Sequence, residues 1–390
     1  MTDRHSACER IDLVDSVTNV PIIQWTSGPD ASQHLYFTSP SVTLDDRWLV
    51  FLSSRNGHPN LYALDRCDGT IRRVSDNGQG LLKSYVYPQG GARGLSKASP
   101  CLDPIRNRLF YLQDGAVYAV HLDDEVEEEY RAGELPADVC TAFTHISPDG
   151  KTLCVPCTDA RAFVDPATTQ WEQMDRVVER IEREKLRSSI YLFDVATGTR
   201  TRACEVPFWV THVQFDPRGT GRIVFNREGL EPGTGRPLPN RIWCLEPDGT
   251  TRPLSPEPEG EWRSHENWTP DGSAIVYHGS RETGPFLAAR SWEGKLLREA
   301  SMEGIRIYHA TAAPDGRRLI VDRPDGFISL VDPDSPTNTV VDLCRHDSSF
   351  KHQDVHAHPL VSPNGKSLIF TSDRSGSGQV YEVAFSEGTK

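Results

Sequence analysis

The residues best suited to chemistry stand near the end of the chain, where Gln353, His356 and His358 follow one another closely. Imidazole nitrogens and an amide oxygen are suitable ligands for borderline divalent metals such as Mn²⁺, Fe²⁺, Zn²⁺ and Ni²⁺. In an extended chain, residues two apart point to the same side, so both imidazoles face one space. The spacing predicts a divalent metal site near this segment.

Further histidines share a register with this segment. Four histidines, one of them in this segment, each stand five residues before the proline of a recurring turn. They are His212, His265, His309 and His358. In a protein built of repeats around an axis, residues at one register form a ring at one depth. We therefore expect these side chains, with His356, to converge near the axis.

The elements that must position these histidines form a repeat. Each copy has a short apolar run, a turn similar to Ser-Pro-Asp-Gly, and strands rich in Val, Ile, Leu and Phe. Such periods with several strands per unit are typical of a β-propeller. We predict an all-β, seven-bladed β-propeller; a β-sandwich with a second domain would not explain seven similar turns. The turns lie at 44–47, 102–104, 147–150, 215–219, 269–272, 313–316 and 362–365.

The last repeat is one strand short, and the apolar stretch 21–26 is a candidate for the missing strand. We expect an N-terminal segment at 1–20 and one propeller domain at 21–385, closed by that strand, which removes an open sheet edge. The third repeat carries an insertion at about 160–189 whose second half has an amphipathic helical pattern. This helix packs on the propeller surface, covers the channel mouth, or contacts a second subunit.

Composition excludes several classes of partner. The net charge of −13 over 390 residues argues against nucleic acid, because phosphates require a basic surface. Residues 1–20 show no secretory pattern, and no apolar run reaches the ~20 residues that span a membrane. The nine cysteines are scattered, as expected for reduced thiols. We expect a cytoplasmic protein with no membrane partner.

Four motifs resemble the oligogalacturonate lyases, a family of polysaccharide lyases. Ser-His-Glu-Asn-Trp-Thr-Pro-Asp-Gly is similar to a Thr-His-Glu-Phe-Trp-x-Pro-Asp-Gly motif, and Trp-Val-Thr-His to Trp-Leu-Gly-His. Asn-Arg-Glu-Gly is similar to Cys-His-Glu-Gly, and the histidine-rich C-terminal segment also has its counterpart. The likeness runs from about residue 24 to 385, and its motifs stand at 209–212, 226–229, 264–272 and 345–376.

The resemblance implies an intracellular seven-bladed propeller that cleaves galacturonides by β-elimination. It implies a divalent metal, typically manganese, held by His265, Gln353, His356 and His358. A metal on the uronate carboxylate stabilises the charge that develops when the C5 proton leaves. The expected partner is a small acidic oligosaccharide, and a homodimer is possible.

The histidine that the family uses as general base corresponds to Arg227, which is a poor base because its guanidinium stays protonated. Three alternatives follow. His309, His212 or His278 removes the proton or binds substrate, Arg227 binds a substrate carboxylate in a changed reaction, or the protein binds a uronide without cleaving it. Two other functions fit the sequence, a non-catalytic propeller similar to TolB that binds sugars or proteins, and a metal-dependent uronate isomerase or epimerase.

Overall fold

The computed structural model describes residues 5–82, 94–123, 130–165, 170–335 and 339–385. Within these ranges the strands form seven blades and one separate two-stranded hairpin, and all pairs are antiparallel except Leu81–Leu82 with Leu95–Ser96 in blade 2. The predicted all-β, seven-bladed propeller is therefore confirmed. No described helix is long and apolar enough to cross a membrane.

The first three blades follow chain order, with additional strands at their edges. Blade 1 consists of His5–Ser6, Ser32–His34, Trp48–Ser53, Asn60–Asp65 and Ile71–Arg73. Blade 2 consists of Leu81–Leu82, Leu95–Ser96, Cys101–Asp103, Arg108–Gln113, Ala116–His121 and Tyr130–Glu134. Blade 3 consists of Val139–Thr141, His145–Ile146, Thr152–Asp159, Ser188–Asp194 and Arg200–Val206.

The other four blades bring the candidate site residues together. Blade 4 consists of Val213–Phe215, Ile223–Asn226, Ile242–Leu245 and Thr251–Pro253. The separate hairpin of Leu230–Glu231 and Arg236–Pro237 lies between its second and third strands in the chain. Blade 5 consists of Trp262–Trp268, Ile275–Arg281, Gly284–Arg290 and Leu296–Ser301. Blade 6 consists of His309–Ala312, Leu319–Asp322, Phe327–Val331 and Val340–Arg345. Blade 7 consists of Leu360–Val361, Ser367–Ser372, Gln379–Ala384, Pro21–Gln24 and Ile11–Val14.

The N-terminal part of the chain completes blade 7. Pro21–Gln24 pairs antiparallel with Gln379–Ala384, with Ile22 opposite Val383. The pairing covers the backbone groups of a strand that would otherwise be an open edge. Residues before 21 also join the propeller, because Ile11–Val14 pairs with Pro21–Gln24 and His5–Ser6 pairs with blade 1. Residues 1–4 of the expected N-terminal segment lie outside the described ranges.

Apolar side chains fill the spaces between neighbouring blades. Seven clusters of buried residues each join two adjacent blades, and one of them unites Trp25 and Ile369 of the closure with Phe51 of blade 1. The turns that the repeat predicted contain glycines with φ of 66–75°, at Gly150, Gly272, Gly316 and Gly365. These are left-handed conformations that glycine adopts without steric cost.

The insertion in blade 3 contains a short 3₁₀ helix, Ala160–Phe163, and the α-helix Gln170–Glu184. Residues 166–169 lie outside the described ranges. Val177 and Ile181 of the helix pack with Phe163 and Trp209, so its apolar side rests on the propeller. The predicted helical insertion in the third blade is confirmed.

Candidate metal centre and active site

The histidines meet in a cavity at the end of the channel where the innermost strands of the blades begin. His309 is the first residue of its strand, and His212 directly precedes Val213–Phe215. The cavity has a volume of about 470 Å³ and is lined by His212, His265, His278, His309, Gln353 and His356, among others. This volume is sufficient for a small sugar ligand. His358 lies in an adjoining small cavity that shares Gln353 and His356 with it.

His309 lies at the middle of the imidazole cluster. Its ring centroid is 3.9 Å from that of His358, 4.6 Å from His265 and 5.4 Å from His356. One nitrogen each of His309, His356 and His358 lies within 4.8 Å of the others. Gln353 is in the single-turn 3₁₀ helix Gln353–Val355, directly before His356. The donor atoms that converge are thus those of His309, His356 and His358, and the other two expected ligands, His265 and Gln353, line the same cavity as His309 and His356.

The donor atoms of this cluster fit a divalent metal. His356 Nδ1 and His358 Nε2 are buried and have no hydrogen-bond partner among the described residues. Burial lowers the pKa of His356 to about 4 and those of His265 and His358 well below the ordinary histidine value. Neutral imidazoles with unused nitrogens are what metal ligation requires.

Two of the expected ligands have an unusual backbone conformation. His265 has φ of 55° and His358 has φ of 41°, in the left-handed region that non-glycine residues rarely adopt. His265 lies at an irregularity in the strand Trp262–Trp268, where the pairing register shifts between Ser264 and Asn267. Such conformations cost free energy and are concentrated at functional sites.

His34 holds the carbonyl of His358 in place. The hydroxyl oxygen of Thr371 accepts a hydrogen bond from the backbone N–H of His34 at 3.2 Å and donates one to its Nδ1 at 2.6 Å. His34 Nε2 then carries the proton and donates to the His358 carbonyl at 2.9 Å. The contact joins blades 1 and 7, and His34 lies outside the four sequence motifs.

Asp322 orients His309. Its carboxylate accepts hydrogen bonds from the backbone N–H of His309 at 2.7 Å and from Nδ1 at 2.8 Å. Burial opposes ionisation of Asp322, but His309 outweighs it and holds the pKa of the carboxyl below its ordinary value. A histidine whose Nδ1 is bonded to a carboxylate is common around metals. In the sequence, the only indication that Asp322 orients His309 is its position as the acidic last residue of the apolar strand Leu319–Asp322.

His212 lies apart from the metal cluster, against aromatic rings. Its ring centroid is 5.1 Å from that of Phe143 and 5.4 Å from that of Tyr36. Its Nδ1 is 3.5 Å from Oε1 of Glu266, and the Glu266 carboxylate is fully buried without a hydrogen-bond partner among the described residues. His278 is in direct contact with an expected ligand, because its Nε2 lies 2.6 Å from Nδ1 of His265.

Arg227 does not line the cavity, so the prediction of a catalytic or substrate-binding role for it is not supported. Its guanidinium donates a hydrogen bond to the carbonyl of Pro239 at 3.3 Å and lies over the ring of Phe208. Asn226 and Glu228, its chain neighbours, bond instead to the segment that carries His212. Side chains alternate along an extended chain, so Arg227 points away from the site.

Arg241, in contrast, lines the cavity, and the sequence motifs did not identify it. Its two terminal nitrogens donate to the two carboxylate oxygens of Glu228 at 2.8 and 3.0 Å. Burial opposes ionisation of Glu228, yet Arg241 brings the pKa of the carboxyl down to about 2. The pair therefore remains charged and forms a rigid polar wall.

The inserted helix forms another part of the cavity wall. Met174 lines the cavity, and Gly229, with φ of 119°, lies directly against Val178 of the helix. A Cβ at Gly229 would stand 2.2 Å from Val178 Cγ2. The helix therefore packs closely on the Glu-Gly motif that follows Arg227.

No family model matches the chain. Two bacterial proteins align with it almost from end to end. The oligogalacturonide lyase of Pectobacterium atrosepticum is 26% identical over 391 residues, and the alignment covers 94% of each chain. The oligogalacturonate lyase of Dickeya dadantii is 22% identical over 394 residues, again with 94% of each covered. The chain is similar to the oligogalacturonate lyases over nearly its whole length.

Solved oligogalacturonate lyases have the same fold. One, determined in complex with manganese, superposes with a TM-score of 0.82 at 23% identity and covers 98% of both chains. Another, from Vibrio parahaemolyticus, superposes with a TM-score of 0.81 at 20% identity over 99% of both. The resemblance to the oligogalacturonate lyases that the motifs indicated is confirmed.

Proposed function

We propose that this protein is a metal-dependent lyase that cleaves oligogalacturonate, or a closely related uronic-acid oligosaccharide, by β-elimination. The observation that carries the proposal is the end-to-end likeness to oligogalacturonate lyases, 26% identity over 94% of the chain. The imidazole cluster supports it, because its unpaired buried nitrogens suit a divalent metal. A manganese complex of a protein with this fold makes Mn²⁺ the first metal to test.

His265, Gln353, His356 and His358 would hold the metal, and His309 lies within reach of the same point. When bound, a divalent cation would neutralise the uronate C6 carboxylate and make the C5 proton more acidic. His34 would keep the His358 peptide in its strained conformation through the bond to its carbonyl.

Among the candidate bases, the geometry favours His212. Asp322 occupies Nδ1 of His309, and His309 is one of the three histidines whose nitrogens converge. His212 lies outside that group but lines the same cavity. With its Nδ1 towards Glu266, Nε2 is the nitrogen left to accept a proton.

The reaction needs one proton transfer in the active site. His212 Nε2 takes the C5 proton, the C5–H electron pair forms the C4–C5 double bond, and the C4–O4 bond breaks. The departing O4 oxygen gains a proton from solvent, and His212 later returns its proton to solvent. The aromatic rings of Tyr36 and Phe143 lie beside His212 and limit water there.

The test is a lyase assay on digalacturonate, followed by the ultraviolet absorbance of the unsaturated product. We expect activity with Mn²⁺, loss of activity after chelation, and recovery when Mn²⁺ returns. His358→Ala should lose both metal and activity. A protein that binds stoichiometric metal but leaves a panel of uronides intact would disprove the lyase, and one that binds no metal would disprove the metal site.

A further inference from the structure

The cavity extends from the histidines to a mouth formed by the loop between Leu296–Ser301 and His309–Ala312. Arg306, Ile307 and Tyr308 of this loop line the same cavity as His265 and His309. A ligand whose reacting end lies among the histidines would therefore extend past this loop.

The charge of Arg306 is not compensated within the described residues. Its side chain is exposed, and it forms no ion pair or hydrogen bond there. The other described arginine of the cavity, Arg241, is neutralised by Glu228. The protein carries a net charge of −13, so a cation at this mouth is a local exception that would attract an anion.

Two aromatic side chains accompany Arg306 and suit a sugar ring. Tyr308 packs against Phe350 with 4.4 Å between ring centroids, which fixes its orientation. Trp262 is half-buried and meets His278 edge-on at 5.5 Å. Met174 of the inserted helix also lines this cavity. Apolar faces beside one polar group are typical of sites that bind a small polar ligand in one orientation.

We propose that Arg306 binds the carboxylate of a second uronate, the sugar joined through O4 to the one that loses its C5 proton. The inference rests on the proposed function and adds a requirement on the substrate. The enzyme selects oligomers in which adjacent residues are both acidic, and it discriminates against a uronate whose neighbour is neutral. Because Arg306 is exposed and is not one of the clustered histidines, it contributes to binding rather than to bond breaking.

The experiment compares digalacturonate with the same disaccharide in which the non-reducing carboxylate is a methyl ester. We expect Arg306→Gln to raise KM for digalacturonate roughly tenfold with kcat little changed, as for loss of a charge-assisted bond. The same substitution should leave kcat/KM for the ester unaltered. Arg317→Gln is the matched control, because Arg317 is an exposed arginine in the turn at the opposite end of the strand His309–Ala312.

Equal KM values of Arg306→Gln and wild type for digalacturonate would overturn the inference, and so would an equal effect of the substitution on acid and ester. If the wild type cleaves neither compound, the proposed function fails instead. Calorimetric binding of digalacturonate to wild type and Arg306→Gln then tests the carboxylate site by itself. A tenfold weaker affinity supports it, and unchanged affinity rejects it.

Discussion

Backbone strain at single residues marks the candidate metal centre. His265 and His358 both have positive φ, while the two ligands between them in the proposed set, Gln353 and His356, do not. A left-handed non-glycine residue persists only when its surroundings hold it there. His34 provides part of that support for His358 by donating to its carbonyl.

Replacement of His34 by glutamine should weaken metal binding about tenfold, as for other residues that orient ligands from behind. The substitution removes the imidazole that donates to the His358 carbonyl, whereas the expected metal ligands themselves are unchanged. Titration calorimetry with Mn²⁺ measures the change. Thr371→Ser keeps the hydroxyl that orients His34 and should bind as wild type; equal affinity of His34→Gln and wild type would disprove the role of His34.

The ionisation of Glu228 makes the stability of the fold depend on pH. Its pKa of about 2 lies below its ordinary value of 4.5, so its ionisation stabilises the fold above that ordinary value. This stabilisation is lost as pH falls from about 4.5 towards 2. Glu228→Gln leaves Arg241 buried without its partner and should lower the free energy of unfolding by about 3 kcal/mol at neutral pH.

Denaturant unfolding at neutral pH and near pH 3 tests this pair. The difference between wild type and Glu228→Gln should shrink at the lower pH, because the carboxyl of the unfolded chain is then protonated and must release its proton on folding. A difference that stays constant with pH would show that the loss arises from packing alone.

Sequence reasoning found the histidines but not their partners, and the reason is geometric. Four register-matched histidines can be recognised because each is tied to a local turn. Asp322, Glu266 and Arg241 act through contacts whose geometry no local motif encodes. The motif match could not predict that Arg227 lies outside the cavity lining, because a match gives a position along the chain and not the side to which the side chain points.

At the scale of elements, the packing of the inserted helix on the propeller includes a close approach at Gly229. Gly229 leaves no space for a Cβ beside Val178, so the packing depends on glycine at that position. The amphipathic pattern predicted the helix and an apolar contact face. Its place beside the cavity could not be predicted, because it depends on the contact with the segment after Glu228.

Gly229→Ala should destabilise the protein by about 2–4 kcal/mol, since it combines a steric clash with a positive φ. Gly235→Ala is the control, because Gly235 also has positive φ but has open space around it. That control should cost only about 1 kcal/mol. The free energy of unfolding in urea measures both, and equal effects would show that the helix is not closely packed here.

At the scale of the whole molecule, the repeat predicted the number of blades because the turns recur with proline, acidic or amide residues, and glycine. Blade 2 was harder to recognise, because its turn lacks the glycine and its inner edge consists of very short strands. Closure of the ring joins the two ends of the chain. Trp25 Nε1 donates to Glu382 at 2.6 Å, which adds a side-chain bond to the strand pairing.

Deletion of residues 1–26 should lower the melting temperature and promote association. It removes two strands from blade 7, takes Ile22 and Trp25 out of the core, and exposes the edge of Gln379–Ala384. Thermal unfolding and sedimentation measure the two effects. An unchanged melting temperature would mean that the ring does not need the N-terminal strands.

The measurement that tests the central claim most directly is the mass of the products formed from digalacturonate with Mn²⁺ present. Elimination predicts galacturonate together with a second product that is lighter than galacturonate by one water. Wild type should form both products, and His212→Ala with its metal retained should form them roughly 10²- to 10⁴-fold more slowly. Two products of equal mass would indicate hydrolysis, and an unchanged disaccharide mass an isomerase or a binding protein. Either result would contradict the proposed lyase.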